Sequence, residues 1–244
     1  MSRAGSSVLV TGGTRGIGLA IALRLVRDGA SRAVLGYMRN DDAAGEAAEA
    51  VRTAGAEPVL VRGEVSKPRV IEELAASGPY RVVVHNAATG VLRAALETED
   101  KHWDWTLNAN ARALLSLARA TAPAMDPGSS IVAISSLGSQ RVLDNYVLVG
   151  TSKAALESVV RYLAVELGPR GIRVNAVSGG VVDTGALDYF PNKDEMLRTV
   201  ERTPAGRLVE PDDIAAAVSF LSSPESEMVR GQTIVVDGGF SLRA

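Results

Sequence analysis

The chain has 244 residues, a formal net charge of −2, no cysteine and two histidines. The absence of cysteine excludes disulfides, thiolate nucleophiles and cysteine metal sites, and two histidines are too few for a histidine-rich centre, so we expect no metal. The small net charge, without a basic run, indicates no nucleic-acid partner and no attraction to an anionic membrane.

Short apolar runs rich in valine and isoleucine alternate along the chain with longer segments of helical periodicity. The apolar runs cover residues 8–10, 33–37, 59–61, 81–85, 131–135, 172–177 and 233–237. The clearest helical segments cover residues 18–28, 110–125, 151–167 and 211–221. Continuous apolar strands separated by helices indicate a parallel sheet that is covered on both faces. We therefore predict an α/β fold, a three-layer Rossmann-type doubly wound parallel sheet of about seven strands, in a single domain over residues 1–244.

A glycine-rich stretch, residues 11–18, follows the first predicted strand and opens the first predicted helix. Gly12, Gly16 and Gly18 are spaced for a tight turn in which backbone amides and the helix N-terminus face the pyrophosphate of a dinucleotide. The alternative is an ordinary strand-to-helix loop without a ligand. The position of the turn after the first strand favours the dinucleotide.

The end of the second predicted strand indicates which dinucleotide binds. An acidic residue there would bond the ribose hydroxyls of NAD, but Tyr37 and Met38 occupy the position and Arg39 follows. Arg15, in the glycine turn, is a second cation, and guanidinium groups bind phosphate in bidentate fashion. These residues predict NADPH, although two solvated arginines are the alternative and the acidic residues 41–42 lie just beyond.

Tyr146 and Lys153 lie seven residues apart, close to two helical turns, so both side chains share one face if the segment is helical. A nearby ammonium would lower the pKa of the phenol and make it a better proton or hydrogen-bond donor. The alternative is a buried tyrosine with a surface lysine near it by chance.

Several motifs together resemble the short-chain dehydrogenase/reductase family over nearly the whole chain. They are residues 11–18 and 86–88, Asn110, Ser136, the pair Tyr146 and Lys153, and residues 237–239. In that family the tyrosine normally stands four residues before the lysine, where this chain has Val149. The longer spacing, with residues 86–93, 102–105, 134–139, 162–166, 175–180 and 230–232, is similar to the third type of bacterial enoyl-acyl-carrier-protein reductase, which is NADPH-dependent.

The resemblance implies a role for each catalytic candidate. Tyr146 would bond the thioester carbonyl and stabilise the enolate that forms when hydride reaches the β-carbon. Lys153 would hold the ribose hydroxyls next to the nicotinamide and supply positive charge. Ser136 would support the substrate or the tyrosine, and Asn110 would be tied to a water chain behind the lysine.

The resemblance also implies a set of cofactor contacts. They are Gly12, Thr14, Arg15, Gly16, Ile17, Gly18, Tyr37, Arg39, Glu64, Val65, Asn86, Ala87, Lys153, Gly179, Gly180 and Thr184. Gly179 stands where the family usually has proline, which predicts a more mobile loop. Glu64 replaces the usual aspartate at the adenine contact. Neither departure removes a reacting group.

These observations lead us to expect an NADPH-dependent reductase of enoyl thioesters carried by acyl-carrier protein or CoA. The alternatives are a β-ketoacyl or polyketide ketoreductase of the same fold and a non-catalytic NADP-binding scaffold. Residues 185–203, with Tyr189, Phe190 and Met196, form either a lid over the acyl chain or a surface excursion.

The resemblance further implies a homotetramer, formed through helices near residues 98–125 and 151–167 and through the C-terminal segment. No signal-peptide pattern is present, and no run approaches the roughly 20 apolar residues that span a bilayer. We therefore expect a cytoplasmic protein.

Overall fold

A computed structural model of the chain describes residues 5–182, residue 185 and residues 193–242, the last range without the side chains of residues 193–195. Seven strands form one sheet: β1 (Ser6–Thr11), β2 (Ala30–Tyr37), β3 (Glu57–Arg62), β4 (Val82–His85), β5 (Ser130–Ser136), β6 (Arg173–Gly179) and β7 (Thr233–Val236). All neighbouring strands are parallel, in the order β3-β2-β1-β4-β5-β6-β7. The doubly wound parallel sheet predicted from the apolar runs is confirmed.

Helices cover both faces of this sheet. They are α1 (Gly16–Arg27), α2 (Asp41–Thr53), α3 (Pro68–Ala76), α4 (Asp100–Leu107), α5 (Ala113–Thr121), α6 (Val147–Leu167), α7 (Lys193–Arg198) and α8 (Pro211–Leu221). Alternate residues of β1, β2, β4, β5 and β6 enter two separate apolar clusters, one shared with α3, α5 and α6 and the other with α1, α2 and α8. Leu9 belongs to the first cluster, whereas Val8 and Val10 belong to the second. The core is therefore divided into two layers by the sheet.

Local chemistry explains where two of the helices begin. The side chain of Asn40 accepts a hydrogen bond from the amide of Ala43 at 3.0 Å and caps α2. Pro211 stands in the first turn of α8, and the side chain of Asp213 accepts from the amide of Glu210 at 2.9 Å. The helix start predicted at Pro211 is confirmed.

The helix predicted over residues 110–125 has a different start. Helical structure begins ten residues earlier with α4, continues through a π-helical turn at Asn108–Arg112 and ends with α5. The first part gives no apolar period in the sequence because Thr106 is the one buried residue of α4. The π turn buries Asn110 completely.

The sheet order places the candidate site. The chain reverses its direction of travel across the sheet between β1 and β4, and ligands of such sheets bind beyond the carboxyl ends of the strands at that point. Within the described ranges, no helix is long and apolar enough to cross a membrane. Those same ranges contain no group of three or more histidine, aspartate or glutamate side chains that could hold a metal ion.

Candidate active site

The glycine turn between β1 and α1 is shaped by close backbone contacts. Gly12 and Gly16 have φ values of +63° and +51°, which favour glycine. A Cβ on Gly18 would overlap the carbonyl oxygen of Gly12 and would lie 2.6 Å from the Asn86 amide nitrogen. Both contacts are closer than the 3.0 Å to which a Cβ atom approaches other heavy atoms in proteins. Glycine at position 18 therefore allows helix α1 to start directly against the turn.

The first turn of α1 has amides that side chains do not cap. Arg15 is the N-cap residue, its side chain makes no capping bond, and the first turn contains no acidic residue. Backbone N–H groups at a helix start are unpaired within the helix and attract anions. Thr14 is buried in this turn, and Ile17 is half-buried.

Asn86 ties the end of β4 to the glycine turn. Its side-chain amide donates to the carbonyls of Thr11 at 3.1 Å and Gly12 at 3.0 Å. The backbone amides of Asn86 and Ala87 both donate to the hydroxyl oxygen of Thr11, each at 3.1 Å. The predicted contact residues Gly12, Asn86 and Ala87 therefore belong to one hydrogen-bonded unit.

His85 was not singled out from the sequence, and it occupies the centre of the site. Its ring is 1% exposed, with Nδ1 3.2 Å from the Thr11 hydroxyl and Nε2 3.0 Å from the carbonyl of Asn110. Because a carbonyl can only accept, Nε2 carries the proton and Nδ1 accepts from Thr11. Burial lowers the pKa of His85 to about 4, and the positive charge of Lys153 acts in the same direction.

Asn110 holds two other segments with its side chain. The amide nitrogen donates to the carbonyl of Thr89 and to the hydroxyl of Ser152, both at 2.8 Å, and the amide oxygen accepts from Thr89 N at 2.9 Å. The π turn thus connects the loop after β4 with α6. Such turns often occur at functional sites.

Lys153 is buried in α6 and reaches the neighbouring strand. Its side chain is 4% exposed in total, and Nζ donates to the carbonyl of Ile134 at 2.7 Å. Burial lowers the pKa of Lys153 to about 8, and the negative charge of Glu157 opposes that shift. A surface lysine near the tyrosine by chance is therefore excluded.

Tyr146 differs from its prediction in two respects. It is the N-cap residue of α6 and lies outside the helix, so Tyr146 and Lys153 do not share a helical face. Burial raises the pKa of Tyr146, with an opposing contribution from the hydrogen bond to Ser136, so the shift is upward and not the predicted lowering. The phenol donates to the Ser136 hydroxyl at 3.4 Å, which places two of the predicted catalytic groups together.

The backbone before α6 explains the position of this tyrosine. Asn145 has a φ of +58°, and among the described residues it is the one non-glycine with positive φ. The ring of Tyr146 then packs on Gly138, where an added Cβ would lie 2.5 Å from two ring carbons. The turn of Leu137–Ser139 and the left-handed Asn145 together fix the phenol beside Ser136.

Val149 fills the position four residues before Lys153. It is buried, and an added Cβ on Gly90 would collide with its Cγ2 while lying 3.4 Å from Cγ2 of Thr106. A hydrophobic side chain packed against the loop after β4 therefore stands where the family usually places its phenol.

The region where an adenosine ribose is expected contains a carboxylate. Tyr37 donates to Asp41 at 2.8 Å, and Arg62, at the end of β3, lies 3.2 Å from the other oxygen of that carboxylate. The hydrogen bond to Asp41 is the main cause that raises the pKa of Tyr37. Arg15 and Arg39 are exposed. Arg62 is a third cation near the end of β2, and it was not predicted from the sequence.

The predicted adenine contacts lie in the loop after β3. Val65 is buried, and the carboxylate of Glu64 accepts from the Ser66 hydroxyl at 2.6 Å and lies 3.8 Å from Lys67 Nζ. The carboxylate of Glu64 is therefore engaged within its own loop.

The loop after β6 is described only in part. A Cβ on Gly180 would lie 2.9 Å from Cβ of Asp237, and Gly180 N donates to the carbonyl of Val236 at 2.9 Å. Gly179 faces Ile214 of α8. The predicted contact Thr184 and the lid candidates Tyr189 and Phe190 lie outside the described residues, whereas Met196 is half-buried in α7.

Known proteins are similar to this chain over nearly its whole length. Residues 12–241 match a family model described as enoyl-(acyl carrier protein) reductase. A 1-cyclohexenylcarbonyl-CoA reductase of Streptomyces collinus is 36% identical over 244 residues, which cover 97% of this chain and 87% of that protein. The chain belongs to the short-chain dehydrogenase/reductase family.

Other members of the family differ in their named substrates. An L-xylulose reductase of Mus musculus is 35% identical over 97% of each chain. A solved short-chain dehydrogenase of Burkholderia cenocepacia in complex with NADP is 31% identical, with a TM-score of 0.90 over 99% of this chain and all of the other. The protein is thus an NAD(P)-dependent oxidoreductase of the short-chain family.

The residues of this oxidoreductase fit a bound dinucleotide. The uncapped start of α1 and the buried cation of Lys153 lie along the carboxyl edge of the sheet. A cleft of about 560 Å³ opens beside Tyr146 and is lined by residues 93–95 and 141–147 and by Gly138, Gly150 and Thr151. It offers room for a substrate next to the phenol.

Proposed function

We propose that the protein is an NADPH-dependent reductase of the carbon–carbon double bond of an enoyl thioester carried by acyl-carrier protein or CoA. The observation that carries this proposal is the place of the phenol. Tyr146 supplies it from the helix N-cap, whereas the position four residues before Lys153 holds the buried Val149.

Bound NADPH would supply a hydride to the β-carbon of the substrate. The Tyr146 hydroxyl, aided by Ser136, would donate a hydrogen bond to the thioester carbonyl and stabilise the negative charge that develops on its oxygen. Because burial raises the pKa of Tyr146, the phenol stays protonated at neutral pH, as a hydrogen-bond donor must. Lys153 would hold the ribose hydroxyls and contribute positive charge. The α-carbon of the enolate would take up a proton from water, which completes the addition of hydride and proton across the double bond.

A relative that is named for reducing an enoyl-CoA supports the proposal, as does the description of the matching family model. The second candidate is reduction of a β-ketoacyl thioester. It is favoured by the adjacent hydroxyls of Ser136 and Tyr146 and by relatives named as an L-xylulose reductase and as a hydroxynaphthalene reductase-like protein. A non-catalytic scaffold is disfavoured because the Tyr146 phenol bonds Ser136 and Lys153 is a buried cation.

Matched substrates test the choice. The purified protein is mixed with NADPH and either a crotonyl or an acetoacetyl thioester, and NADPH oxidation is followed by absorbance. We expect oxidation with the crotonyl substrate, and we expect Tyr146→Phe to lower kcat/KM by about 100-fold or more. Tyr162→Phe, which removes a 77% exposed phenol from α6, is the control. Oxidation with the acetoacetyl substrate alone would overturn the enoyl assignment.

We also propose that Arg15 and Arg39 bind the 2′-phosphate and select NADPH over NADH. Both residues are exposed, Arg15 in the glycine turn and Arg39 just after β2, while Arg62 is already paired with Asp41. Either arginine-to-alanine change should weaken NADPH binding about tenfold and leave NADH binding nearly unchanged, because a charge-assisted bond to the phosphate is lost. Arg69→Ala on α3 is the control, and an equal loss for both nucleotides would contradict the assignment.

The assembly is a further part of the proposal. Trp105, Leu115 and Val165 are exposed on α4, α5 and α6, which suits a homotetramer built through these helices by subunits of one domain each. Light scattering after gel filtration should give four times the chain mass of 25.5 kDa. A monomer at micromolar concentration would contradict it.

A further inference from the structure

Glu157 is a buried carboxylate that the proposed reaction does not use. It lies in α6, one turn after Lys153, and is 4% exposed. One of its oxygens accepts from the hydroxyls of Ser135 at 2.5 Å and Ser139 at 2.6 Å, and the other accepts from the Gln140 amide at 3.4 Å. Burying a charge is costly unless hydrogen bonds or an opposite charge compensate, so three donors and a nearby cation are expected.

The three donors belong to one short segment. They lie on the end of β5 and on the turn that follows it, which also carries Ser136 and Gly138. Ser136 accepts the hydrogen bond of the Tyr146 phenol, and Gly138 packs against the Tyr146 ring. The carboxylate of Glu157 therefore fixes the turn against which the side chain of Tyr146 packs.

The same carboxylate acts on Lys153. The two side chains extend from successive turns of α6 to successive residues of β5, since Lys153 bonds the carbonyl of Ile134 and Glu157 bonds Ser135. Two titratable groups within the described ranges face the ammonium: Glu157 from α6, whose charge favours its protonation, and His85 from β4, which stays neutral near pH 7.

We propose that Glu157 is a positioning residue that supplies the counter-charge of Lys153 and fixes the turn beneath Tyr146. The inference rests on the proposed role of Lys153 toward the cofactor ribose. It does not depend on whether the substrate is an enoyl or a β-keto thioester. In this arrangement one buried group serves both the charge and the geometry of the site.

Glu157→Gln separates charge from geometry, because the side-chain oxygen can still accept from Ser135 and Ser139. Without the negative charge, burial of Lys153 is opposed less and its pKa falls further below about 8. The alkaline limb of the pH profile should then move to lower pH by about one unit, which is about a tenfold loss on that limb. We expect this shift in kcat and also in NADPH affinity, measured by fluorescence without substrate.

Two other variants complete the test. Glu166→Gln removes an exposed carboxylate from the same helix and should leave the alkaline limb in place. Ser139→Ala removes one donor and keeps the charge, so kcat should fall several-fold while the limb stays. A limb in Glu157→Gln that coincides with the native one would overturn the charge role, and an unaltered kcat in Ser139→Ala would overturn the geometric role. If Glu157→Gln does not fold, Ser139→Ala decides the geometric role, and the alkaline limb of Glu157→Ala decides the charge role.

Discussion

Gly18→Ala is the substitution whose effect the structure defines most directly. The φ of Gly18 lies outside the left-handed region, so backbone strain does not enter and the effect is steric. The added methyl would approach the Gly12 carbonyl oxygen too closely and would lie 2.6 Å from the Asn86 amide nitrogen. Both atoms belong to the hydrogen bond of 3.0 Å that ties Asn86 to the glycine turn, so the turn must move away from α1.

Three contributions set the magnitude. Overpacking of this kind costs about 1–3 kcal/mol, and loss of the hydrogen bond from Asn86 to Gly12 costs about 1 kcal/mol. Alanine inside a helix contributes about 1 kcal/mol of stability relative to glycine, which offsets the second loss. We expect the free energy of unfolding to fall by about 2 kcal/mol in Gly18→Ala. NADPH binding should weaken as well, because the displaced turn holds the proposed pyrophosphate site.

Equilibrium urea unfolding measures the stability, and fluorescence titration measures NADPH binding. Gly45→Ala is the matched control, since Gly45 lies in α2 and an added Cβ there has nothing within 4 Å. It should raise the free energy of unfolding by about 0.5–1 kcal/mol and leave NADPH binding unchanged. If Gly18→Ala unfolds at the urea concentration of the native protein and binds NADPH equally well, the steric argument is refuted.

Two further substitutions test other parts of the site. His85 has a pKa of about 4 in the folded chain against 6.5 when unperturbed, so the unfolded chain binds more protons between these pH values. The free energy of unfolding should therefore fall by about 3 kcal/mol on account of His85 as pH falls from 6.5 to 4. Urea unfolding at a series of pH values should show a steeper fall of this free energy for the native protein than for His85→Gln, and parallel curves would contradict this. Asn145→Val should lower the free energy of unfolding by about 1–2 kcal/mol and lower kcat by displacing Tyr146, because a β-branched residue disfavours the left-handed backbone. Asn145→Gly should keep the native stability and kcat, and equal stability of the two variants would argue against the left-handed turn.

The fold could be predicted from the sequence because its strands are buried on both faces. A run such as Val8–Val10 is apolar at every position, which distinguishes a parallel strand from the alternating pattern of a half-exposed one. The glycine turn was also visible, since Gly12, Gly16 and Gly18 are local in the chain. By contrast, α4 has one buried residue, Thr106, and gives no periodic signal.

The environment of the candidate catalytic groups could not be predicted, because it depends on distant residues. His85 ends an apolar run and carries no motif, while its partners Thr11 and Asn110 are 74 and 25 positions away. The spacing of Tyr146 and Lys153 predicted a shared helical face. The backbone of Asn145 is left-handed, and Tyr146 follows it as the N-cap residue, outside α6. The burial that raises the pKa of Tyr146 arises from tertiary packing.

The sheet order has a consequence for how the protein acquires its site. Thr11 of β1 receives its partners from β4, Asn110 follows β4, and Lys153 comes from α6 after β5, so the site requires segments that span more than half of the chain. A nascent chain cannot assemble this site before α6 has been synthesised, and pairing β1 with β4 requires closure of a long loop, which slows folding. A ligand that binds the completed fold alone stabilises it in proportion to the logarithm of its concentration. Recovery of NADPH fluorescence during refolding should therefore report completion of the whole sheet, later than the recovery of helical circular dichroism.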